Sequence, residues 1–145
     1  MRYPLFLELT GQPAIVVGGG PVATRKTRTL LAAGACVTVI TPVATPALRR
    51  LKKIRWLRRR YQSGDLRGAR LVVAATDDLT VNQRVCAEAH RRRQLVNCAA
   101  PPAAGNFIVP ALVRHGAFTI AISTGGASPA KAKALRVKLE RILRA

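Results

Sequence analysis

The ten-residue stretch AIVVGGGPVA, at positions 14–23, decides the fold of this chain. It begins with a four-residue apolar run of strand type and passes through Gly18-Gly19-Gly20 into a segment with helical spacing. The spacing Gly18-x-Gly20-x-x-Ala23 matches the dinucleotide-binding fingerprint, whose small residues permit a tight turn, a close backbone approach to a pyrophosphate and close packing of helix on strand. Pro21 and Val22 would open the helix, whose N-terminus attracts phosphate. Such a turn can also be purely structural, so its context decides.

The rest of the chain supplies that context, because apolar runs of strand length alternate with helical segments. This alternation predicts a Rossmann-like, doubly wound α/β fold with a mostly parallel sheet, followed by a C-terminal strand pair and a terminal helix. We expect residues 1–110 to form the NAD-binding domain and residues 111–145 an extension that mediates dimerisation. After the first strand, Ala14–Val17, the predicted strands are Cys36–Ile40, Ile54–Tyr61, Arg70–Ala75, Gln94–Cys98, Phe107–Arg114 and Ala117–Ser123; the predicted helices are Val22–Ala33, Pro46–Lys53, Thr80–Arg92 and Ala130–Leu143; and Tyr3–Thr10 is a short strand or apron.

The ends of two predicted strands carry further candidate cofactor contacts. An NAD fingerprint usually has Asp or Glu about twenty residues after the glycines, where it holds the adenosine ribose. Here Thr41, Pro42 and Val43 occupy that region, so the ribose must be held by backbone groups or by the Thr41 hydroxyl, and NAD and NADP both remain open. At the next strand end, Thr76 is a possible cofactor contact, while one of the two following aspartates caps a helix.

Composition limits the class of partner. The chain has 25 Lys and Arg against 6 Asp and Glu, a formal net charge of +19. Such a positive field favours polyanionic partners, although a general abundance of basic residues along the chain explains the charge equally well. Aromatic residues are not interleaved with the basic ones, so we do not expect a nucleic-acid partner. No apolar run is long enough to span a membrane and no signal peptide is predicted. The three cysteines lack CxxC spacing, which predicts no metal site and a reducing, cytoplasmic location.

Several motifs together resemble the precorrin-2 dehydrogenases, which form the N-terminal module of sirohaem synthases. The motifs are VVGGGPVATRKTRTLLAAGACVTVITP at 16–42, AATDDLTVNQRV at 74–85, the loop from Asn97 to Ala111, and STGGASPAKAKALR at 123–136. The resemblance covers nearly the whole chain. It implies an NAD-dependent oxidation of precorrin-2 to sirohydrochlorin, and for some members the insertion of ferrous iron to give sirohaem.

The resemblance also assigns residues. It places NAD near Gly18–Val22 and Thr41–Val43, and the tetrapyrrole near the loops 97–106 and 123–128. The residues implied to hold the substrate are Asn97, Asn106, Ser123, Thr124 and Ser128, with Asn97 and Thr124 also assigned to the catalytic site. Precorrin-2 carries eight carboxylates, which is consistent with the basic chain, and Arg25 and Arg114 are candidates for binding them.

Two features depart from the family pattern. Family members usually have an aspartate three residues after the asparagine that corresponds to Asn97, and this carboxylate is proposed to act in catalysis or chelation. Here that catalytic position is Ala100, which can neither accept a proton nor bind iron. The alternatives are an oxidation that needs no such base, a catalytically impaired protein that binds NAD and sirohydrochlorin, or a ferrochelatase-type module. The helical segment with which the family usually continues has no counterpart in this sequence, and we still expect a homodimer.

Overall fold

The computed structural model describes residues 2–144 and divides them into two compact units. The first unit comprises residues 6–107 and contains a five-stranded sheet with helices. Its elements are β1 (Pro13–Val17), α1 (Pro21–Ala32), β2 (Cys36–Ile40), α2 (Pro46–Arg49), β3 (Ile54–Leu57), β4 (Leu71–Ala74), α3 (Leu79–Arg91), β5 (Leu95–Cys98) and a 3-10 turn, Pro102–Ala104.

The sheet of the first unit is entirely parallel and has the strand order β3-β2-β1-β4-β5. The chain moves outward from β1 to β3 in one direction and then crosses back to place β4 on the other side of β1. This reversal is a topological switch point, and ligands of open α/β sheets bind in the crevice at the carboxyl ends of the strands there. The glycine turn follows β1 and therefore lies at that point.

The core of the first unit consists of two apolar clusters, whose strand residues alternate between the two faces of the sheet. In β1, Val16 contributes to one cluster while Ile15 and Val17 contribute to the other, as the two-residue period of a strand requires. All four residues of β4 are buried, which explains why this strand reads as a continuous apolar run.

The second unit comprises residues 2–5 and 108–144. Its elements are the antiparallel pair β6 (Ala111–His115) and β7 (Phe118–Ile122), followed by α4 (Pro129–Arg144). Val113 of β6 and Ala132 of α4 are its buried apolar residues, whereas Phe118 is 72% exposed and Ile142 58% exposed. On α4, the large apolar residues Leu135, Val137 and Ile142 are exposed in the single chain.

The structure confirms the predicted fold class: a mostly parallel sheet with helices, a C-terminal strand pair and a terminal helix. The assignment of residues 1–110 to cofactor binding and of 111–145 to dimerisation stays a prediction. No helix within residues 2–144 is both long enough and apolar enough to cross a membrane.

Several predicted boundaries were wrong. For Tyr3–Thr10 the strand alternative is wrong, because this segment forms no strand; the apron stays a prediction. The strand predicted from Phe107 starts only at Ala111, directly after Pro110, which lacks an N–H for a strand ladder. The strand predicted to reach Tyr61 ends at Leu57, because the Arg59 N–H donates to the Leu57 carbonyl and turns the chain.

Two helical predictions also need correction. The helix predicted over Pro46–Lys53 ends at Arg49. On α1, apolar spacing favours an inner face that includes Val22 and Lys26, but the buried residues are Ala23, Thr24, Thr27 and Leu30. Because Thr24 and Thr27 are polar, the spacing of apolar residues does not reveal this buried face.

Candidate functional site

The glycine turn after β1 is packed against two neighbouring strand ends. A Cβ atom on Gly18 would lie 2.1 Å from the Ala75 carbonyl oxygen, and Gly18 has a φ of +130°. A Cβ atom on Gly19 would lie 1.9 Å from the Val43 carbonyl oxygen. Both distances are far below van der Waals contact, so these glycines are required by the packing of the protein itself.

Gly20 differs from the other two glycines. Its backbone is extended, with φ −79° and ψ −174°, and a Cβ atom there would have nothing within 4 Å in the described chain. Gly20 is the N-cap of α1 and makes no side-chain capping bond, and no acidic residue lies in the first turn. The N–H groups of Val22 and Ala23 belong to the first turn, where the helix supplies no acceptor. The turn thus presents open space and unpaired donors beside the positive end of a twelve-residue helix, which suits a pyrophosphate.

The loop after β2 is fixed to this turn by polar contacts. The Thr45 N–H donates to the Gly19 carbonyl at 2.9 Å, and the hydroxyls of Thr24 and Thr45 are 2.8 Å apart. The Thr41 hydroxyl donates to the Val43 carbonyl at 2.7 Å, so its proton is not free for a ribose. Pro42 and Val43 are exposed, and their surfaces are open to a ligand.

The loop after β4 is organised by Asn82, a residue that the sequence analysis missed. Asn82 is fully buried on α3; its Oδ1 accepts from the Thr76 N–H at 3.0 Å, and its Nδ2 donates to the carbonyls of Thr76 and Ala100, both at 3.0 Å. The Thr76 hydroxyl lies 2.8 Å from Asn82 Oδ1. The Asp78 carboxylate accepts from the N–H groups of residues 80 and 81, which confirms the prediction that one of the two aspartates caps this helix. One amide therefore connects Thr76, a candidate cofactor contact, to residue 100, the position predicted to be catalytic.

Asn97 and Asn106 make contacts inside the first unit. Asn97 is 7% exposed, and its Nδ2 donates to the Phe107 carbonyl at 3.1 Å, while its Oδ1 has no partner within residues 2–144. Asn106 accepts from the Val96 N–H at 2.8 Å and donates to the Gln94 carbonyl at 2.9 Å. Because β5 is an edge strand, Asn106 occupies backbone groups that would otherwise be unpaired. Their substrate roles stay predictions.

The other predicted substrate residues lie in the second unit, in the loop between β7 and α4. Ser123 Oγ accepts from the Gly125 N–H at 3.0 Å, and Thr124 Oγ1 accepts from the Ser128 N–H at 2.8 Å. Ser128 Oγ accepts from the Lys131 N–H at 3.3 Å at the start of α4. Ser123 and Thr124 are exposed, so their hydroxyl protons can reach a ligand.

The structure also places the basic residues that are candidates for binding carboxylates. Arg25 on α1 and Arg114 on β6 are both exposed. Burial, with a smaller effect of Arg25, lowers the pKa of Lys26. Within residues 2–144 no group of three or more His, Cys, Asp or Glu side chains could hold a metal ion.

A parallel α/β sheet with an open glycine turn at its switch point defines a Rossmann-like dinucleotide-binding domain. A family model described as putative NAD(P)-binding matches residues 5–111. The solved structure titled "SirC, precorrin-2 dehydrogenase" superposes with a TM-score of 0.85 and 33% identity, covering 97% of this chain and 71% of that one. The chain belongs to the family of NAD(P)-binding domains that includes this precorrin-2 dehydrogenase. The family and the cofactor class predicted from the sequence are thereby confirmed.

Curated relatives extend the similarity. The chain is 43% identical over 144 residues to the siroheme synthase of Pseudomonas fluorescens (strain Pf0-1) and 41% identical over 143 residues to that of Methylobacillus flagellatus. Each alignment covers 97% of this chain and 31% of the relative. The chain thus spans about a third of the length of these relatives.

Proposed function

We propose that this protein oxidises precorrin-2 to sirohydrochlorin with NAD. The observation that carries the proposal is the open glycine turn at the switch point of the sheet, in a chain that resembles a precorrin-2 dehydrogenase over 97% of its length. The excess of basic residues supports it, because a positive field speeds the capture of a polycarboxylate.

The residues of the turn have a defined part in this function. NAD, when bound, supplies the hydride acceptor for the oxidation. Gly20 leaves room for the pyrophosphate, and the first-turn N–H groups of α1 donate to it. Thr41, Pro42 and Val43 line the adenosine side, while Thr76 is held by Asn82 at the carboxyl end of β4. These contacts bind and orient, and orientation alone accounts for a large share of a rate enhancement.

Residue 100 has no acid–base role in this proposal, because an alanine cannot exchange a proton. The sequence contains no other acid between Glu88 and Glu140. In this proposal the proton that precorrin-2 loses with its hydride passes to solvent. The same observation favours a second candidate function, a protein that binds NAD and sirohydrochlorin without turnover.

Anaerobic incubation with precorrin-2 and NAD⁺ separates these functions. The dehydrogenase produces NADH and the absorbance of sirohydrochlorin in equal amounts, with repeated turnover at substoichiometric protein. Binding of both ligands without NADH formation supports the second function instead. Absence of NAD⁺ binding by calorimetry contradicts both.

The variant Ala100→Asp tests the altered position directly. We expect the added carboxylate, next to the carbonyl that Asn82 holds, to raise the turnover number or to confer insertion of ferrous iron into sirohydrochlorin. Ala100→Asn is the matched control, because it has a similar size without the charge. Equal activities of both variants and the parent chain contradict a role for this position.

We further propose that the protein is a homodimer that uses its second unit. Four large apolar residues of β7 and α4 are exposed in the single chain: Phe118, Leu135, Val137 and Ile142. Apolar surface of this kind is typical of an interface between protein chains. Light scattering should give twice the chain mass for the parent protein, and the double variant Leu135→Glu/Ile142→Glu should be monomeric. A monomeric parent protein contradicts this proposal.

A further inference from the structure

One outer edge of the five-stranded sheet carries a dense cluster of basic residues. The segment from position 49 to position 60 contains eight of the 25 Lys and Arg residues of the chain, where an even distribution would place about two. Seven of the eight are exposed, and with β3 they are called the basic edge: Arg49, Arg50, Lys52, Lys53, Arg55, Arg58 and Arg60. We propose that the basic edge is a docking surface for an extended acidic segment of another protein, which adds to β3 as a further strand.

The charge of the basic edge is not neutralised within the chain. No acidic residue occurs in the sequence between Glu8 and Asp65. Asp65 accepts two hydrogen bonds from Arg59, the half-buried eighth member of the segment, at 2.7 and 2.8 Å. None of the seven exposed residues forms an ion pair with a carboxylate of residues 2–144. Because like charges so close together repel one another in the folded chain, an anionic partner would relieve that repulsion.

The basic edge lies away from the residues of this unit that the resemblance assigns to the substrate. β3 is one edge strand of the sheet and β5 is the other. Strands are spaced by about 4.8 Å, so about 19 Å separate the two edges. Asn97 belongs to β5, and the loop 97–106 continues from that strand. A tetrapyrrole held at β5 therefore does not account for the cluster of charge at β3.

β3 has backbone groups that are free to pair with another strand. The Leu57 carbonyl accepts from the Thr41 N–H at 3.2 Å, so the backbone of Leu57 faces β2. Because successive residues of a strand alternate, the N–H and C=O groups of Ile54 and Trp56 face outward. No strand of residues 2–144 lies on that side of β3. An extended peptide supplies both the acceptors and the donors that these groups lack, while its acidic side chains meet the basic residues.

Other occupants suit the basic edge less well. A second copy of the same edge would bring like charges together, which opposes pairing. The phosphates of a nucleic acid accept hydrogen bonds but donate none to the outward carbonyls, and Trp56 is half-buried with its indole N–H donated to the Thr41 carbonyl at 2.9 Å, so it is not free to stack on a base. In the described chain no exposed large apolar residue lies between positions 44 and 78, so this edge offers no group to insert into a membrane.

Fluorescence anisotropy of a labelled peptide, titrated with the whole protein at low salt, tests the proposal. The probe alternates glutamate with valine, which places its carboxylates on one face of a strand. The matched control peptide has the same sequence with every backbone nitrogen methylated, so it keeps the charge and loses the backbone donors. We expect the unmodified peptide to bind at least fivefold more tightly than the control, and its binding to weaken as salt screens the charges.

Variants locate the binding surface. Lys53→Glu/Arg55→Glu should weaken binding of the peptide at least tenfold, and an unchanged Tm shows that this variant is folded; both side chains are exposed. Lys133→Glu/Lys138→Glu is the matched control, because it makes the same change of charge at two exposed positions of α4, and it should change binding less than twofold. Equal weakening by the two double variants, or equal affinity of the two peptides, overturns the proposal.

Duplex DNA and phosphatidylserine vesicles are titrated in parallel. If Lys53→Glu/Arg55→Glu loses more affinity for either of them than for the peptide, that polyanion is the occupant and the proposal is overturned. None of these measurements involves NAD or precorrin-2, so their outcome is independent of the proposed function.

Discussion

Substitution of Gly20 separates a glycine needed for a ligand from glycines needed for folding. A Cβ atom at position 20 meets nothing within 4 Å, and the backbone there suits any residue. Replacing a Gly N-cap by Ala costs up to about 1 kcal/mol of helix stability. The same substitution reduces the conformational freedom of the unfolded chain, which raises the free energy of unfolding by about 0.4–1 kcal/mol. The stability of Gly20→Ala should therefore lie within about 1 kcal/mol of the parent chain, which is about 2–4 °C in Tm for a domain of this size.

In the proposed function the same methyl group would stand where the pyrophosphate approaches the backbone. We expect Gly20→Ala to lower the affinity for NAD⁺ at least tenfold, or about 1.4 kcal/mol. Gly20→Asp should lower it further, because a carboxylate repels the pyrophosphate, although aspartate is a favoured N-cap and should preserve the helix.

Gly18→Ala is the contrasting variant. Its Cβ atom would lie 2.1 Å from the Ala75 carbonyl oxygen, and its φ of +130° is strained for a residue with a side chain. Relief requires the strand ends to separate by more than 1 Å, so we expect a loss above about 4 kcal/mol, the range of severe core defects.

Thermal unfolding with and without NAD⁺ measures both effects at once. A ligand at 100 times its Kd stabilises the native state by about 2.7 kcal/mol. The parent chain should show this rise in Tm, and Gly20→Ala should keep the basal Tm and lose most of the rise. If Gly20→Ala binds NAD⁺ as the parent chain does, the pyrophosphate does not lie at this turn. A Gly18→Ala protein of normal Tm contradicts the packing argument.

Three further predictions concern stability and reactivity. Asn82→Ala leaves three hydrogen-bonding groups of the two neighbouring loops without a partner: the Thr76 N–H and the carbonyls of Thr76 and Ala100. It should lower the free energy of unfolding by about 2–4 kcal/mol in urea titration, and an unchanged stability contradicts the role of this amide. Burial, with a smaller effect of the Cys98 thiol, raises the pKa of Cys86 to about 12, so iodoacetamide at pH 8 should label the exposed Cys36 and spare Cys86 until the protein unfolds, as mass spectrometry can show. Burial raises the pKa of Glu88, but hydrogen bonds from a tyrosine, a backbone N–H and an arginine outweigh this effect and hold the pKa below its ordinary value of 4.5. The stability that this carboxylate provides is therefore present above pH 4.5 and is lost as the pH falls below it. Glu88→Gln should make the free energy of unfolding less dependent on pH in that range.

The sheet could be predicted because its strands are apolar on both faces. The runs at β1, β2 and β4 consist mainly of Val, Ile, Leu and Ala, and a parallel strand covered on both sides requires such a run. Asp78 was predictable as a cap because the requirement is local to one helix turn.

The contacts that shape the candidate site were not predictable, because their partners are remote in sequence. Asn82 reaches Ala100 over 18 residues and Trp56 reaches Thr41 over 15. Asn82 lies within the motif at 74–85, but the motif does not indicate its partner, and Trp56 belongs to no motif. The resemblance assigns Asn106 to the substrate, and that role stays a prediction; the sequence did not indicate that the Asn106 amide also completes the edge of β5. A polar side chain that hydrogen-bonds to backbone groups in place of a neighbouring strand or turn produces no periodic pattern in the sequence.

The three glycines have different structural roles, and this difference affects how the same fingerprint is interpreted in other proteins. Gly18 and Gly19 pack against other residues of the chain, so a related protein that no longer binds a nucleotide would still need both of them for folding. In the proposed function Gly20 makes room for the nucleotide, so a related chain that binds no nucleotide could carry a side chain at this position with little loss of stability. In a survey of related domains, a side chain at the third glycine should therefore mark the members that have given up the cofactor.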